Sequence, residues 1–310
     1  MRMGSHVLAF IIALGVLLSC SITPRAAAQP QWVTPAVEAP RVSFHTFESQ
    51  AAGTDVSFHV YTPAAYVADE DRRLPVVYWL HGAGGGANGI VPLSRLFDAA
   101  IESTRTPPFL VVFVNGMQLG MYVDWMGADV PLETVIIEEL IPHVDANWRT
   151  VASREGRLVD GFSMGGYGAA RFGFLYPELF ATVSMIAAGP LQETLTGTPR
   201  ASRREAADLL REVYAGEQSS FQSVSPRRHA AENAQIIASA TRLRVVIGRQ
   251  DEIYENNRAF HAYLTSLGIP HDWIVLPGVG HNPLAVLNAL GERNWAFYRA
   301  AFGEPDGAPE

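Results

Sequence analysis

The sequence contains no lysine, and all 23 of its lysine-or-arginine positions are arginine. This absence excludes a Schiff-base lysine, a Ser-Lys dyad and the lysine of a phosphate-binding P-loop. We therefore expect neither phosphoryl transfer nor pyridoxal chemistry.

Cysteine is almost absent as well, since Cys20 is the only one in the chain and no internal disulfide can form. Arg2 precedes an apolar run over 7–18, about 12 residues long. That length is too short to span a bilayer and typical of a signal-peptide core. The N-terminus therefore predicts export, to the periplasm or the extracellular space.

Two processing sites compete at the end of this segment. Ala26, Ala27 and Ala28 before Gln29 form an A-x-A-like cleavage site, which would release the chain without an anchor. The run 17–20 instead resembles a bacterial lipobox, which would attach lipid to Cys20. We favour cleavage after Ala28 and expect membrane contact only if Cys20 is lipidated.

Acidic residues outnumber basic ones, and the formal net charge is -8. This balance makes nucleic acid an improbable partner. With 310 residues, 48% of them hydrophobic, the chain can bury one substantial core. We expect one domain over 42–302, preceded by an extended lead-in at 29–41 and followed by a flexible tail at 303–310.

Strand-like and helix-like patterns alternate along the chain. Alternating residues over 42–47 and 56–61 predict an antiparallel hairpin. Buried strands are predicted at 75–80, 110–115, 157–161, 181–186, 244–247 and 273–276, and helices at 91–103, 132–148, 164–176, 253–267 and 283–302. The order predicts an α/β fold with a mostly parallel central sheet and helices on both faces. An Arg-rich stretch at 190–235 interrupts the order and is interpreted as an insertion over the active-site edge.

The segment Gly161-Phe162-Ser163-Met164-Gly165 has the pattern of a nucleophile elbow. Such a strand-turn-helix element holds a serine hydroxyl above the sheet on strained backbone, which only small neighbouring residues tolerate. The apolar stretch before Asp160 and the small residues after Met164 provide that context. Ser163 is therefore the candidate nucleophile.

A nucleophilic serine needs a histidine base and an acid that orients it, in the chain order Ser, Asp or Glu, His. Of nine histidines, only His281 combines this order with a glycine-rich turn directly after a predicted strand. Asp251 follows the preceding strand and is the candidate acid. Glu252 is the alternative, because an aspartate at this position can also be a helix cap.

The segment 81–86, His-Gly-Ala-Gly-Gly-Gly, follows a predicted strand in the manner of the oxyanion loop of esterases. The backbone amides of Ala83 and Met164 are the candidate oxyanion donors, and His81 and Gly82 are candidate substrate contacts. A phosphate-binding loop is disfavoured because neither a helix-opening G-x-G-x-x-G nor a P-loop lysine is present.

Tyr122, Asp124 and Trp125 follow another predicted strand, at the sheet edge where substrates bind. They are candidate substrate-binding residues. The alternative is a packed aromatic loop with a solvated carboxylate.

Together these segments resemble the esterase D-type family of α/β-hydrolases, which includes feruloyl esterases, S-formylglutathione hydrolase and secreted mycolyltransferases. The resemblance rests on 78–85, 139–145, 161–169, 225–226, 248–258 and 277–281. It implies an α/β-hydrolase fold, a triad of Ser163, Asp251 and His281, and oxyanion donors at Ala83 and Met164. Asp160 departs from the family pattern, which usually has a small or apolar residue there.

The function expected from this resemblance is that of an exported serine esterase forming an acyl-enzyme on small-molecule or carbohydrate esters, acyl or feruloyl. It would need no cofactor and no metal. The alternatives are an acyltransferase that moves the acyl group to a sugar hydroxyl and a catalytically silent binding protein on the same fold.

The processing sites generate a first prediction. Mass spectrometry of the exported protein should give an unmodified N-terminus at Gln29, because the Ala26–Ala28 segment fits the peptidase recognition pattern. An N-terminus at an acylated Cys20 would contradict it.

Overall fold

The computed structural model describes residues 30–303. The predicted signal segment 1–28, both processing sites and the tail from 304 lie outside the described residues. Within 30–303, every helix is too short or too polar to cross a membrane.

The strands and helices of this range follow in chain order. The strands are β1 (Val42–Ser49), β2 (Thr54–Tyr61), β3 (Val76–Leu80), β4 (Leu110–Val114), β5 (Asp124–Trp125), β6 (Val130–Pro131), β7 (Arg157–Phe162), β8 (Thr182–Ile186), β9 (Arg242–Gly248) and β10 (Asp272–Leu276). The α-helices are α1 (Ala64–Ala68), α2 (Ala87–Glu102), α3 (Leu132–Thr134), α4 (Ile141–Asn147), α5 (Met164–Leu175), α6 (Arg203–Val213), α7 (Gln218–Ser223), α8 (Pro226–Glu232), α9 (Ala234–Ala240), α10 (Tyr254–Ser266), α11 (Pro283–Leu290) and α12 (Glu292–Phe302).

The central sheet has eight strands in the order β1-β2-β4-β3-β7-β8-β9-β10. The pairs from β4 to β10 are parallel, whereas β1 and β2 are antiparallel at one edge. Every residue of β3 and β4 is buried, as expected for strands covered on both faces. One apolar core lies beneath α4 and α5 and the other beneath α2, α11 and α12. The predicted fold class, a mostly parallel sheet with an antiparallel N-terminal hairpin, is confirmed.

The strand order reverses direction at β3, which lies between β4 and β7. In open α/β sheets, the crevice at such a switch point, outside the carboxyl ends of the strands, is where ligands bind. Leu80 at the end of β3 pairs with Gly161 near the end of β7. The two loops with the strongest sequence motifs therefore leave the sheet side by side.

Some elements differ from the sequence prediction. The predicted helix 132–148 is divided into α3, a π-helical stretch at Val135–Leu140, and α4. The predicted helix 283–302 is broken at Gly291, whose φ of 53° is outside the helical range. The segment 190–235 contains α6, α7, α8 and part of α9. The β5–β6 pair was not predicted, because two-residue strands are too short to show periodicity.

A buried charge cluster lies beneath the elbow. Arg244 on β9 and Asp160 on β7 have fully buried side chains, with 3.3 Å between Nη2 and Oδ2. Arg244 Nε donates to Ser184 Oγ at 2.7 Å, and Tyr298 Oη donates to the same Asp160 oxygen at 2.7 Å. Burial raises the pKa of Asp160, and the nearby Arg244 charge opposes that shift. The cluster joins β7, β8, β9 and α12 directly under the turn that holds Ser163.

This cluster generates a second prediction. Arg244→Met should lower the free energy of unfolding by about 3–5 kcal/mol, because it leaves the Asp160 carboxylate buried without its cation. Urea denaturation measures the change. Arg242→Met is the matched control, since Arg242 is an exposed residue of the same strand, and its effect should stay within about 0.5 kcal/mol. Equal effects of both substitutions would contradict the assignment.

Candidate active site

Ser163 sits on strained backbone between β7 and α5. Its φ of 59° and ψ of -117° are rare for a residue other than glycine. Its amide donates to the carbonyl of Ile186 at 2.9 Å, and its carbonyl accepts from Tyr167 and Gly189. These bonds hold the strained turn on both sides, so the hydroxyl points away from the sheet.

Two glycines of the elbow are required by contact. A Cβ at Gly161 would lie 2.2 Å from the Gly165 carbonyl oxygen, and one at Gly165 would lie 1.9 Å from the Leu80 carbonyl oxygen. Both distances are far below van der Waals contact. The turn can therefore approach the end of β3 only with glycine at these positions.

Ser163, His281 and Asp251 form a continuous hydrogen-bond chain. The distance from His281 Nε2 to Ser163 Oγ is 2.9 Å, and that from His281 Nδ1 to Asp251 Oδ2 is 2.7 Å. Asp251 Oδ1 accepts from the Ile253 amide at 3.0 Å, and the side chains of Asp251 and His281 are 0% and 6% exposed. A buried carboxylate thus orients the imidazole, whose other nitrogen can take the serine proton.

The alternative acid, Glu252, points elsewhere. Its side chain is 58% exposed and pairs with Arg200, with 2.8 Å between Oε2 and Nη1. It lies on the same loop as Asp251 but does not contact His281 through a hydrogen bond. The geometry therefore favours Asp251 over Glu252 as the orienting acid.

The candidate oxyanion donors approach the serine from two sides. Met164 is the first residue of α5, where backbone amides have no intrahelical acceptor. The loop after β3 also comes close to the serine, since a Cβ at Gly82 would lie 3.2 Å from Ser163 Cβ. Ala83 and Met164 line the same cavity as Ser163. Such an arrangement can stabilise negative charge on an oxygen bound next to the serine.

His81 and Tyr122 brace this loop from behind. His81 Nε2 accepts from the Gly116 amide at 3.0 Å, so Nδ1 carries the proton and donates to the Gly82 carbonyl at 2.8 Å. Burial lowers the pKa of His81, which keeps the ring neutral. The hydroxyl of fully buried Tyr122 donates to the His81 carbonyl at 3.0 Å, and burial raises the pKa of that phenol. These contacts fix the loop, and neither His81 nor Tyr122 lines the cavity beside Ser163.

Asp124 and Trp125, the other predicted substrate residues, make hydrogen bonds within the protein. Asp124 accepts from the amide of Thr134 at 3.0 Å and from its hydroxyl at 2.6 Å. Trp125 Nε1 donates to the Gly120 carbonyl at 3.2 Å. Neither residue lines the cavity beside Ser163. Their surroundings resemble the alternative of a packed aromatic loop, except that the Asp124 carboxylate is hydrogen-bonded to Thr134 and is not free in solvent.

A buried arginine on α5, which the sequence reasoning did not identify, joins the surrounding elements. Arg171 is 3% exposed and pairs with Glu133, with 2.7 Å between Nη2 and Oε2. It also donates to the carbonyl of Tyr122 at 3.2 Å and to that of Val224 at 2.9 Å. The helix that follows Ser163 is thereby tied to the Tyr122 loop and to the segment 190–235.

A cavity of about 110 Å³ opens beside Ser163, between the core and the segment 190–235, and we call it the insertion cavity. Its apolar walls are formed by Leu119, Met121, Leu195, Ala206, Leu209 and Ile253. Sequence reasoning missed these residues. The apolar face of α6, with Ala206, Leu209 and Val213 buried at helical spacing, was the available signal.

Within residues 30–303, no group of three or more His, Cys, Asp or Glu side chains is arranged to hold a metal ion. The hydrogen-bond chain of Ser163, His281 and Asp251 can support nucleophilic attack by the hydroxyl, with the imidazole as the base and backbone amides stabilising the oxyanion.

Comparison with protein-family models matches residues 49–283 to the family described as "Putative esterase". The chain belongs to this family. The predicted resemblance to the esterase D type of α/β-hydrolase is confirmed.

Among curated relatives, an esterase of Mycobacterium tuberculosis is 33% identical over 150 residues, which are 47% of this chain and 32% of that protein. The match thus spans about a third of the relative's length. Among solved structures, a ferulic acid esterase superposes with a TM-score of 0.68 at 21% identity, covering 84% of this esterase and 98% of that chain. S-formylglutathione hydrolase from Staphylococcus aureus has a TM-score of 0.66 at 17% identity, covering 83% and 98%. The two structures establish the fold.

The glycine contact generates a third prediction. Gly165→Ala should lower the esterase's kcat/KM by about 10²-fold or more, because its Cβ displaces the end of β3 and with it the oxyanion loop. Stability should fall by about 1–3 kcal/mol. Kinetics and urea denaturation measure both changes.

Gly89→Ala on α2 is the control. Its Cβ would meet Leu93 at an ordinary 3.5 Å, and alanine favours the helix by about 0.5–1 kcal/mol. Unchanged activity of Gly165→Ala would contradict the requirement for glycine.

Proposed function

We propose that this esterase is an exported serine carboxylic ester hydrolase that acts on carbohydrate esters through Ser163, His281 and Asp251. The observation that carries the proposal is the hydrogen-bond chain, with 2.9 Å from Ser163 to His281 and 2.7 Å from His281 to Asp251. Export is supported by the composition of residues 1–28.

The reaction begins when Ser163 Oγ attacks the ester carbonyl carbon and His281 Nε2 takes its proton. The carbonyl oxygen becomes an oxyanion that the amides of Ala83 and Met164 stabilise. When the intermediate collapses, the ester C–O bond breaks and His281 protonates the departing alcohol. Asp251 remains ionised and stabilises the imidazolium.

Water then attacks the acyl-enzyme in the same manner. His281 removes a proton from the water, the acyl–serine bond breaks, and the proton returns to Ser163. The acid is released and the starting enzyme is restored. The acyl group is either an aliphatic chain or a feruloyl group, and these two differ in the polar partners that they need.

The adjacent carboxylates provide a matched test. Asp251→Asn should lower kcat/KM for a nitrophenyl ester by on the order of 10⁴-fold, and Ser163→Ala by up to about 10⁶-fold. Glu252→Gln changes a neighbouring carboxylate in the same way but should leave kcat/KM within about tenfold, because its partner is the exposed Arg200.

A larger loss in Glu252→Gln than in Asp251→Asn would transfer the acid role to Glu252. Hydrolysis by Ser163→Ala at the wild-type rate would refute the proposed nucleophile. Product analysis with an added acceptor sugar separates hydrolysis from acyl transfer, since a transferase would yield the acylated sugar in place of the free acid.

A further inference from the structure

The insertion cavity contains only part of the proposed catalytic machinery. Ser163 and both candidate oxyanion residues, Ala83 and Met164, line it, whereas His281 does not. The alcohol oxygen of the substrate must face His281 Nε2, because that nitrogen protonates it. The acyl chain lies on the other side of the reacting carbon, which places it in the insertion cavity.

Three polar side chains around the cavity, those of Gln192, Thr198 and Asn256, are bonded to one another. Gln192 Nε2 donates to Thr198 Oγ1 at 2.7 Å, and Gln192 Oε1 accepts from Asn256 Nδ2 at 3.0 Å. The Thr198 hydroxyl donates to the Leu195 carbonyl at 2.8 Å. At the rim, Arg200 pairs with Glu252 at 2.8 Å.

A polar substituent that reaches the apolar walls of the cavity would lose water without gaining a partner there. A feruloyl ring carries a phenolic hydroxyl and a methoxy group, so its entry would leave the hydroxyl unsatisfied or break one of these bonds. An unsubstituted hydrocarbon chain has no such requirement. The walls thus favour an aliphatic acyl group.

The volume limits the length of that chain. An apolar protein cavity of about 150 Å³ holds a benzene molecule, and the insertion cavity measures about 110 Å³. By this comparison the cavity holds a saturated chain of about four to six carbons, whereas the end of a decanoyl chain would extend beyond its apolar walls. Ala206 and Leu209, both on α6, face the cavity and close one side of it.

We propose that the esterase is selective for short saturated acyl groups of about four to six carbons and that α6 sets this limit. This inference rests on the proposed function, since it assigns the acyl side of the same site. It excludes feruloyl esters as preferred substrates and makes Ala206 and Leu209 specificity-determining residues.

The test measures kcat and KM for nitrophenyl acetate, butyrate, hexanoate, decanoate and ferulate. The wild type should prefer butyrate or hexanoate over decanoate and ferulate by at least about tenfold, because a single misfitting methylene in an apolar pocket already costs about 10–200-fold.

Ala206→Leu should raise KM for hexanoate by at least about tenfold while acetate changes less than about twofold, because only the longer chain reaches the added side chain. Ala207→Leu is the matched control, since Ala207 is an exposed residue of the same helix, and its profile should equal that of the wild type. Leu209→Ala enlarges the cavity and should move the preference toward decanoate.

Several outcomes would overturn the inference. One is a wild-type kcat/KM that is equal for all five esters or highest for ferulate. Another is an equal loss of activity on acetate and hexanoate in Ala206→Leu, together with an unchanged ester preference in Leu209→Ala. Each of these would leave the proposed hydrolase in place, because esters are still cleaved through Ser163. A wild type that cleaves none of the five esters would remove both proposals.

Discussion

The close packing of the turn after β7 against the end of β3 is the constraint on which the site depends. A side chain at Gly165 would lie 1.9 Å from the Leu80 carbonyl oxygen, and the loop to Ala83 begins directly after Leu80. Glycine at position 165 therefore determines how closely Ser163 and Met164 approach the end of β3. It thereby also determines the separation of the two candidate oxyanion amides. Parallel pairing of Leu80 with Gly161 keeps both strand ends in register. This pairing and the hydrogen bonds of the turn together hold Ser163 in its strained backbone conformation.

Charge buried beneath this turn has a different role from apolar packing. A buried ion pair adds little net stability relative to apolar residues of similar volume, because two ions lose their hydration. The Asp160–Arg244 pair therefore contributes mainly through the fixed directions of its hydrogen bonds. One oxygen of Asp160 receives Arg244 and Tyr298, and Arg244 also donates to Ser184. We interpret the cluster as a set of directed contacts that fixes β7 relative to β8, β9 and α12.

The sequence predicted the elements whose chemistry depends on chain order. Ser163, Asp251 and His281 could be chosen because each follows a strand of a parallel sheet, and such strands end at one edge. Contacts between distant segments could not be predicted. Tyr122 lies after a strand like a substrate residue, yet its ring fills the space above Gly116 and Gly168. The wall of the insertion cavity was missed for the same reason, because the burial of Leu209 depends on where the segment 190–235 folds back.

The fold separates the groups proposed to react from the residues proposed to contact the acyl chain. The reacting groups stand on loops at the sheet edge, whereas α6 belongs to the segment between β8 and β9. Several contacts join the parts, and two of them involve arginine. The Arg200–Glu252 pair is largely exposed, so it contributes at most about 1 kcal/mol. Arg171 is buried and donates to carbonyls of both the Tyr122 loop and the segment 190–235. The Met126 amide donates to the carbonyl of Val213, the last residue of α6, at 2.8 Å. The position of α6 therefore does not depend on the ion pair at the rim alone, and changes on the cavity face of α6 should alter acyl selectivity without moving His281.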